Sequence, residues 1–261
     1  MAFDPNKVAQ HISSWLNSYA DDANFDGYVL GVSGGIDSAV TATLCLMTGK
    51  PVYVVDLPIY QASTEVNRSR EVCESLSSRF DNMTLLRVPL TQVFEATKDA
   101  LPNSIDLSNG LALANTRARL RMTFLYAIAA QRRALVVGTG NKIEDFGIGF
   151  FTKYGDGGVD VSPIADLLKS EVYDLGRILD VPQSVLDAAP TDGLWGDERN
   201  DEDQIGASYN ELELAMKFSE ENGDSHALKG REKEVYDIFT KLNKANLHKM
   251  MPIPVCVIPR D

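Results

Sequence analysis

The chain has 261 residues, a net charge of −12 at neutral pH and a hydrophobic fraction of 44%. This composition is typical of a globular protein with ample material for a core. The negative charge argues against a protein that follows nucleic-acid phosphates, because such proteins normally carry a basic field. The longest apolar run without proline, FLYAIAA, is too short to cross a bilayer. We therefore expect no nucleic-acid partner and no membrane insertion.

The N-terminal segment and the cysteines predict a cytoplasmic protein. The segment MAFDPNKVAQHISSWL lacks the basic and apolar regions of a signal peptide. The cysteines, Cys45, Cys73 and Cys256, are odd in number and widely spaced. That pattern favours reduced, buried thiols over a disulfide framework or a metal cluster.

In the first part of the chain, short β-rich runs alternate with longer helical patterns. The predicted strands are 28–32, 52–58, 83–89 and 134–141, and the predicted helices are 6–20, 38–48, 63–80, 91–100 and 111–133. Continuous apolar runs such as YVLGV are typical of strands buried on both faces of a parallel sheet. The alternation predicts an α/β fold with a doubly wound, mostly parallel sheet.

After residue 160 the pattern becomes helical. Helices are predicted over 164–180, 183–188, 204–221 and 228–246. We find no linker and no internal repeat, so residues 1–261 are predicted to form a single domain. It would have an α/β core over 1–160 and a mainly helical C-terminal third over 161–261, packed on that core. The acidic stretch 191–204 is predicted to be a mobile loop, because it has little apolar area to bury.

The stretch YVLGVSGGIDSAVTATL, residues 28–44, joins a buried strand to a helix through two glycines. Glycines let the backbone turn sharply and approach a bound anion, and the helix start adds unpaired N–H groups. Ser33 and Ser38 add hydroxyl donors. Phosphate repels Asp37, so an acid here makes sense through a bridging Mg²⁺. The alternative is an ordinary glycine turn followed by a helix N-cap, for which Asp and Ser are preferred.

This loop is not the phosphate loop of P-loop NTPases, because no lysine follows its glycines. It resembles the pyrophosphate loop of the ATP-pyrophosphatase superfamily. That resemblance implies a Rossmann-like fold of the adenine-nucleotide α-hydrolase type, with cleavage of ATP between its α- and β-phosphates to adenylate a substrate.

Longer stretches resemble the NAD synthetase family. They are NTRARLRMTFLYAIA, VVGTGNKIEDFGIGFFTKYGDGGVDVSPIADLLKSEV, PTDGLWGDERNDEDQIGASYNELE and HKMMPIP. Together with the loop they cover most of the chain, and TKYGDGG is the most specific of them. The resemblance implies that ATP drives amidation of deamido-NAD by ammonia, with Mg²⁺ as cofactor and AMP and diphosphate as products. It also implies a homodimer with the dinucleotide across the interface.

The resemblance assigns roles to individual positions. The residues implied for ATP are Gly31, Val32, Ser33, Gly34, Gly35, Ile36, Asp37, Ser38, Thr139, Lys169 and Thr191. Those implied for deamido-NAD are Arg119, Lys153, Asp160, His248 and Lys249. The implied Mg²⁺ ligands are Asp37 and Glu144. Asp37, Lys153 and Lys169 would act in catalysis, and Asp156 in the YGDGG turn is our candidate for the base that deprotonates ammonium.

Ordinary structural roles remain open for several of these residues. Glu144 could be a solvated loop acid, and Thr139 and Thr191 could be caps. Arg119 could belong to a solvated helix face, although Arg117, Arg119 and Arg121 are expected to point in different directions. A lysine early in a helix, as predicted for Lys169, is slightly unfavourable, which favours a nearby phosphate.

Two positions depart from the family pattern. Ile36 stands where glutamine is frequent, and an apolar side chain beneath the loop is compatible with that place. Asp56 stands where many members have arginine. An acid there could accept hydrogen bonds from a ribose or an adenine amino group, but it cannot screen phosphate.

Two rival functions follow from the loop alone. One is a tRNA-modifying ATP-pyrophosphatase, against which the net charge and the lack of a cysteine pair argue. The other is a nucleotide-binding module without catalysis, which would not need the second acid or the lysines. Only 32 residues precede the loop. That is too few for the amidase domain that supplies ammonia from glutamine, so we expect free ammonia to be the nitrogen donor.

Overall fold

The computed structural model describes residues 3–102, 104–107, 110–191 and 200–259. Within them, a parallel sheet of four strands has the order β3-β2-β1-β4. The strands are β1 Gly27–Gly31, β2 Val52–Asp56, β3 Met83–Arg87 and β4 Ala134–Val136. The chain therefore moves outwards from β1 to β3 and then crosses back to place β4 on the other side of β1. This confirms the predicted doubly wound parallel sheet, and it places the switch in strand order between β1 and β4.

Helices connect the strands and follow the sheet. The first five are α1 Pro5–Asp22, α2 Ile36–Leu46, α3 Ser63–Arg79, α4 Thr91–Asp99 and α5 Leu111–Arg132. A π-helix, Ile143–Ile148, comes after β4. The C-terminal helices are α6 Lys169–Ile178, α7 Gln183–Leu186, α8 Asp201–Ile205, α9 Tyr209–Glu220 and α10 Gly230–Met250. None of the described helices is both long and apolar enough to cross a membrane.

Alternate residues of the strands feed two hydrophobic layers, as the period of two along a strand requires. Tyr28 and Leu30 of β1 pack into the layer formed with α1, α2 and α6. Val29, between them, packs into the opposite layer with α4 and α5. A third cluster joins the π-helix to α9 and α10. Burial on both faces explains why β1 reads as a continuous apolar run.

Several predicted boundaries are wrong. The fourth strand ends at Val136 rather than at 141, because glycine-rich loop backbone follows it. The helix predicted over 164–180 begins only at Lys169, after turns that include Pro163. The helix predicted over 204–221 is two helices, because Gly206 adopts a left-handed conformation (φ 85°) between them.

Two further expectations need correction. α10 continues to Met250, so His248 and Lys249 lie in its last turn rather than after it. Cys256 is exposed, whereas Cys45 and Cys73 are buried as predicted. In the stretch 191–204, the predicted mobile loop, residues 192–199 lie outside the described residues and Asp201–Ile205 form α8.

Candidate active site

A cleft opens at the carboxyl ends of β1, β2 and β4, where ligands bind in open parallel sheets. Its lining includes the segment from Gly31 to Ser38 after β1, Lys169 at the start of α6, and Thr191. Of the residues that the sequence assigns to ATP, the following line this cleft: Gly31, Val32, Ser33, Gly34, Gly35, Ile36, Asp37, Ser38, Thr139, Lys169 and Thr191. The fold therefore brings together every residue predicted for the nucleotide.

The loop after β1 is held by its own hydroxyl groups. The Ser33 and Ser38 hydroxyls are 3.1 Å apart, and the Ser38 hydroxyl donates to the Gly35 carbonyl at 3.0 Å. α2 begins at Ile36, with Gly35 as an N-cap that makes no side-chain hydrogen bond. The alternative in which Asp37 or Ser38 is the N-cap is therefore wrong. The first N–H groups of α2 face the cleft without a side-chain cap, as an anion-binding helix start requires.

Close packing explains two residues of the loop. Gly34 has a φ of +81°, and a Cβ there would lie 2.8 Å from the Ser69 backbone nitrogen of α3, so only glycine fits. Ile36 is buried and points beneath the loop, where a Cβ on Gly176 would lie 2.6 Å from its Cδ1. The apolar residue at position 36 thus packs the loop onto α6, which agrees with the expectation from the sequence.

Lys169, Asp37 and Glu144 form an ion-paired group in the cleft. The Lys169 Nζ donates to Asp37 Oδ2 at 2.6 Å and to Glu144 Oε1 at 3.0 Å. Lys169 is 3% exposed, although it is the first residue of α6, where a positive charge is unfavourable. Burial opposes its charge, but Asp37 and Glu144 outweigh burial and raise the pKa of Lys169 above its ordinary value. The ammonium group therefore stays charged between two acids.

A second set of side chains fixes the two acids. The Tyr209 hydroxyl donates to Glu144 Oε1 at 2.6 Å and lies 3.3 Å from Asp201 Oδ2. The Asn141 side chain donates to Asp37 Oδ1 at 3.2 Å and accepts the Glu144 backbone N–H at 3.2 Å. All three supporting residues are buried. The start of the π-helix is thereby tied to α2, which places Glu144 opposite Asp37.

The electrostatic environment separates the roles of these groups. Burial raises the pKa of Asp37, the charge of Glu144 raises it further, and Lys169 lowers it. Burial and the charges of Glu144 and Asp201 raise the pKa of the Tyr209 hydroxyl, so it remains a hydrogen-bond donor.

Among the described residues, no group of three or more His, Cys, Asp or Glu side chains is arranged to hold a metal ion. Two carboxylates are the usual protein contribution to Mg²⁺, with substrate phosphates completing the shell. Asp37 and Glu144 fit that donor set.

Asp156 also lines the cleft. Its Oδ1 accepts the backbone N–H of Thr152 at 3.1 Å, which fixes the carboxylate within the 152–158 turn. The side chain is open to the solvent of the cleft, but the surrounding protein removes enough water to raise its pKa above the ordinary aspartate value.

Four of the residues predicted for the dinucleotide lie together outside the lining of the cleft. Arg119 donates to the Lys153 carbonyl at 3.2 Å, and the Lys153 Nζ donates to the His248 carbonyl at 2.8 Å. The Lys249 Nζ donates to the Phe151 carbonyl at 2.8 Å. α5, the 152–158 turn and the end of α10 thus form one basic surface, next to the end of the cleft that Phe151 and Asp156 line.

Asp160 does not join that surface. Its carboxylate accepts the Val136 backbone N–H at 2.8 Å and the Tyr126 hydroxyl at 3.0 Å. Both contacts tie the segment after the turn to β4 and α5. In this structure Asp160 therefore has a supporting position, and its predicted contact with the dinucleotide stays a prediction.

The three arginines of α5 point in different directions, as their spacing predicts. Arg117 stacks over the Phe94 ring at 4.9 Å from its centroid, and Arg119 reaches the Lys153 carbonyl. Arg121 lines the cleft, where it donates to the Leu57 carbonyl at 3.0 Å. The sequence analysis assigned Arg119 to the dinucleotide and did not predict that Arg121 lines the cleft. The spacing shows that the three side chains point in different directions, but it does not show which of them points into the cleft.

Asp56 lies at the end of β2 and lines the cleft. Arg87 of β3 approaches it at 3.4 Å, and Arg121 is near enough to interact with its charge. Burial raises the pKa of Asp56, although both arginines oppose that shift. The acid that replaces the expected arginine is therefore accompanied by positive charge from neighbouring elements.

Comparison with known proteins identifies the family. A sequence model described as NAD synthase matches residues 8–252. The chain belongs to the NAD synthase family. An ammonia-dependent NAD synthetase from Mesoplasma florum is 38% identical over 215 residues, which cover 81% of this chain and 85% of that protein. One from Carboxydothermus hydrogenoformans is 34% identical over 243 residues, covering 92% of this chain and 93% of that protein.

Solved structures agree with the fold of a NAD synthetase. The structure of NMN synthetase from Francisella tularensis has a TM-score of 0.84 and 31% identity, with both chains fully covered. An NH₃-dependent NAD synthetase from Campylobacter jejuni has a TM-score of 0.79 and 25% identity, covering 98% of this chain and 100% of that one. The predicted family, fold and class, a ligase that forms a carbon–nitrogen bond, are confirmed. The tRNA-modifying alternative is not favoured.

Two residues that support the ion-paired group were not predicted from the sequence, because the helix start near them was misplaced. Tyr209 lies inside the helix predicted over 204–221, and Asp201 lies in the stretch 191–204 that was predicted to be a mobile loop. A local signal was present: Ser208 and Glu211 form a capping box, in which the Ser208 backbone N–H donates to Glu211 Oε2 at 2.8 Å. Together with Gly206, that box marks Tyr209 as the first residue of a new helix.

Proposed function

We propose that the chain uses ATP to amidate the nicotinate carboxylate of deamido-NAD with ammonia, and releases NAD, AMP and diphosphate. Family membership and the ammonia-dependent relatives support this reaction. The observation that carries the mechanism is the contact of Lys169 with both Asp37 and Glu144, beside the uncapped start of α2. A charged lysine, two acids and exposed N–H groups at one place suit a bound triphosphate.

The first step is adenylation. The carboxylate of the substrate attacks the α-phosphate of ATP, the bond from that phosphorus to the bridging oxygen breaks, and diphosphate leaves. The Ser33 and Ser38 hydroxyls and the N–H groups of α2 would hold the departing phosphates, and Lys169 would stabilise the charge that develops on them. Asp37 and Glu144 would hold Mg²⁺, which neutralises phosphate charge when bound.

The second step is attack by ammonia on the adenylated carbonyl. Bound ammonium first gives up one proton to become ammonia. Attack then forms the carbon–nitrogen bond, AMP leaves, and the nitrogen loses a second proton to solvent. Asp156 is our candidate for the group that receives a proton from ammonium. It lines the cleft, is fixed by the Thr152 N–H, and has a raised pKa, which improves its match to a proton acceptor near neutral pH.

We propose that the dinucleotide binds to the basic surface formed by Arg119, Lys153, His248 and Lys249. A contact with Asp160, which lies outside that surface, stays a prediction. Next to His248 on α10 lies an exposed apolar side chain, Leu247 (46% exposed). The resemblance to NAD synthetases implies a homodimer with the dinucleotide across the interface. We therefore propose a homodimer in which two copies of the chain meet near this surface. We further propose that the enzyme acts in the cytoplasm, where its ATP is available.

A second acceptor is the nicotinate mononucleotide, whose amidation would yield NMN. The observation that favours it is the likeness to the NMN synthetase from Francisella tularensis over the whole of both chains. The two acceptors share the carboxylate that is amidated and differ only in the presence of the adenylate half.

The test is release of AMP in the presence of Mg²⁺ and ammonium, with deamido-NAD, nicotinate mononucleotide, tRNA or no acceptor. We expect AMP and NAD in equal amounts with deamido-NAD and no AMP with tRNA. AMP release without any acceptor would contradict coupled amidation. A higher kcat/KM with the mononucleotide than with the dinucleotide would select the second acceptor instead.

The nitrogen source is tested in the same assay. We expect free ammonia to support NAD formation and ammonia-free glutamine to give none, because glutamine hydrolysis commonly uses an activated thiolate. Burial raises the pKa of both Cys45 and Cys73, that of Cys73 to about 11, which suppresses thiolate formation. Turnover with glutamine that persists after ammonia is scavenged would contradict this expectation.

Tyr209→Phe tests how Glu144 is positioned. The change removes the donor to Glu144 and leaves the ring in place, so we expect kcat to fall about 10- to 100-fold, as for other groups that orient a metal ligand. The concentration of Mg²⁺ that gives half-maximal activity should rise in parallel. Loss of a hydrogen bond to a charged group should lower the free energy of unfolding by about 1.5–3 kcal/mol.

Tyr236→Phe is the matched control, because Tyr236 lies in α10, where its ring packs edge-on against Phe218. It should leave both kcat and the Mg²⁺ requirement unchanged. If Tyr209→Phe loses stability but keeps the wild-type Mg²⁺ dependence, Tyr209 has a structural role only.

A further inference from the structure

The cleft contains more acidic than basic side chains among the described residues that line it. Its basic residues in that part of the chain are Arg68, Arg121 and Lys169. ATP carries several negative charges, and the chain itself has a net charge of −12. Each positive group in the cleft therefore matters for whether a triphosphate can bind there.

Protein groups already engage two of these three cations. Lys169 donates to two carboxylates, and Arg121 donates to the Leu57 carbonyl at 3.0 Å and to Gln61 at 2.8 Å. Arg68 is different. Within the described residues its Nε is buried without any hydrogen-bond acceptor. Buried donors without a partner are rare in folded proteins, and each one calls for an explanation.

The position of Arg68 relates it to the glycine loop. It lies on α3, and a Cβ on Gly34 would be only 3.1 Å from the Arg68 Cβ. The same Cβ on Gly34 would be 2.9 Å from the Glu65 carbonyl oxygen of α3, so this helix is packed directly against the loop. The side chain of Arg68 therefore starts at the wall of the phosphate loop and lines the cleft beside it.

We propose that Arg68 is a phosphate-binding residue whose guanidinium donates hydrogen bonds to the ATP phosphate oxygens held by the loop of residues 33–38. Guanidinium groups are suited to this because their donors match the geometry of phosphate oxygens. The inference rests on the proposed use of ATP, and it adds a residue that the sequence comparison did not assign.

The test is Arg68→Gln, with inorganic diphosphate and Mg²⁺ as the probe in titration calorimetry. We expect diphosphate to bind about tenfold more weakly, which corresponds to the lower end of the range for a lost hydrogen bond to a charged group. The KM for ATP should rise by a similar factor, while the KM for deamido-NAD stays unchanged. Arg68→Lys should give an intermediate loss, because it keeps the charge without the planar geometry.

Arg70→Gln is the matched control, because Arg70 lies on the same helix, is exposed, and donates to Asn67. It should bind diphosphate as the wild type does. Circular dichroism would verify that each variant is folded. If Arg68→Gln does not fold, Arg68→Lys is used for the test instead. Wild-type affinity of a folded Arg68 variant for diphosphate, or a change confined to the KM for deamido-NAD, would overturn this inference alone. Absence of AMP release by the wild-type enzyme with either acceptor would instead overturn the proposed function.

Discussion

Asp37→Asn is expected to reduce turnover strongly while leaving the protein folded. The amide keeps the shape of the side chain and can still accept a hydrogen bond from Lys169, but it loses the charge that would hold Mg²⁺. We expect kcat to fall about 100- to 1,000-fold, equivalent to about 3–4 kcal/mol of lost charge stabilisation in the transition state. The measurement is steady-state release of AMP over a range of Mg²⁺ concentrations.

The effect of Asp37→Asn on the free energy of unfolding should be small, because two contributions to the stability around Asp37 offset each other. Burial raises that pKa, so the folded protein disfavours the charged form relative to the unfolded chain. A neutral side chain avoids this cost, and Lys169 keeps Glu144 as a partner at 3.0 Å. We expect the free energy of unfolding to change by less than about 1 kcal/mol, or about 2–4 °C in Tm for a chain of this size.

Asp174→Asn is the control for the loss of one negative charge, because Asp174 lies on α6 and pairs with Arg177 at the surface. It should leave both kcat and Tm unchanged. If Asp37→Asn lowers Tm and activity together, the role of Asp37 is structural.

The sequence was sufficient to predict the glycine loop, because there local chemistry and tertiary structure agree. A continuous apolar strand, two glycines and a helix start are all consecutive in the chain, and each has a local physical reason. The acids Asp37 and Glu144 could be placed at the same edge of the sheet, since both follow strands of one parallel sheet. The resemblance to NAD synthetases then supplied the roles of distant residues such as Lys169.

What the sequence could not predict are contacts made between distant segments. The hydrogen bond from Tyr209 to Glu144 joins α9 to the π-helix. That the Arg68 Nε has no acceptor among the described residues is known only once its neighbours there are placed. The π-helix itself has no simple sequence signature. It forms where the Asn141 side chain accepts the N–H groups of Ile143 and Glu144, at 3.1 and 3.2 Å. These supporting contacts determine the geometry of the cleft.

Lys169→Met should have the largest combined effect on activity and stability. The change leaves Asp37 and Glu144 facing each other without the cation that both contact. Removal of one partner from a buried ion pair costs about 3–5 kcal/mol, because the remaining charge is uncompensated. Turnover should fall at least about 100-fold, since the group that stabilises the departing diphosphate is also lost. Lys142→Met is the control, because Lys142 pairs with Glu220 at 3.3 Å near the surface and should change stability by less than about 1 kcal/mol.

The pH dependence distinguishes this explanation from a simple packing defect. In the wild type the raised pKa of Lys169 means that its contribution to stability is fully present at neutral pH and is lost only above the ordinary lysine pKa. In Lys169→Met the cation that lowers the pKa of Asp37 is gone, whereas burial and the charge of Glu144 still raise that pKa in the folded state. The folded variant then binds more protons than the unfolded chain, so its stability should rise as the pH is lowered from about 8 to about 5.

Millimolar Mg²⁺ should also raise the Tm of the variant more than that of the wild type, because the two acids become free to hold it. A loss of stability that changes with neither pH nor Mg²⁺ would show that Lys169 contributes packing rather than charge.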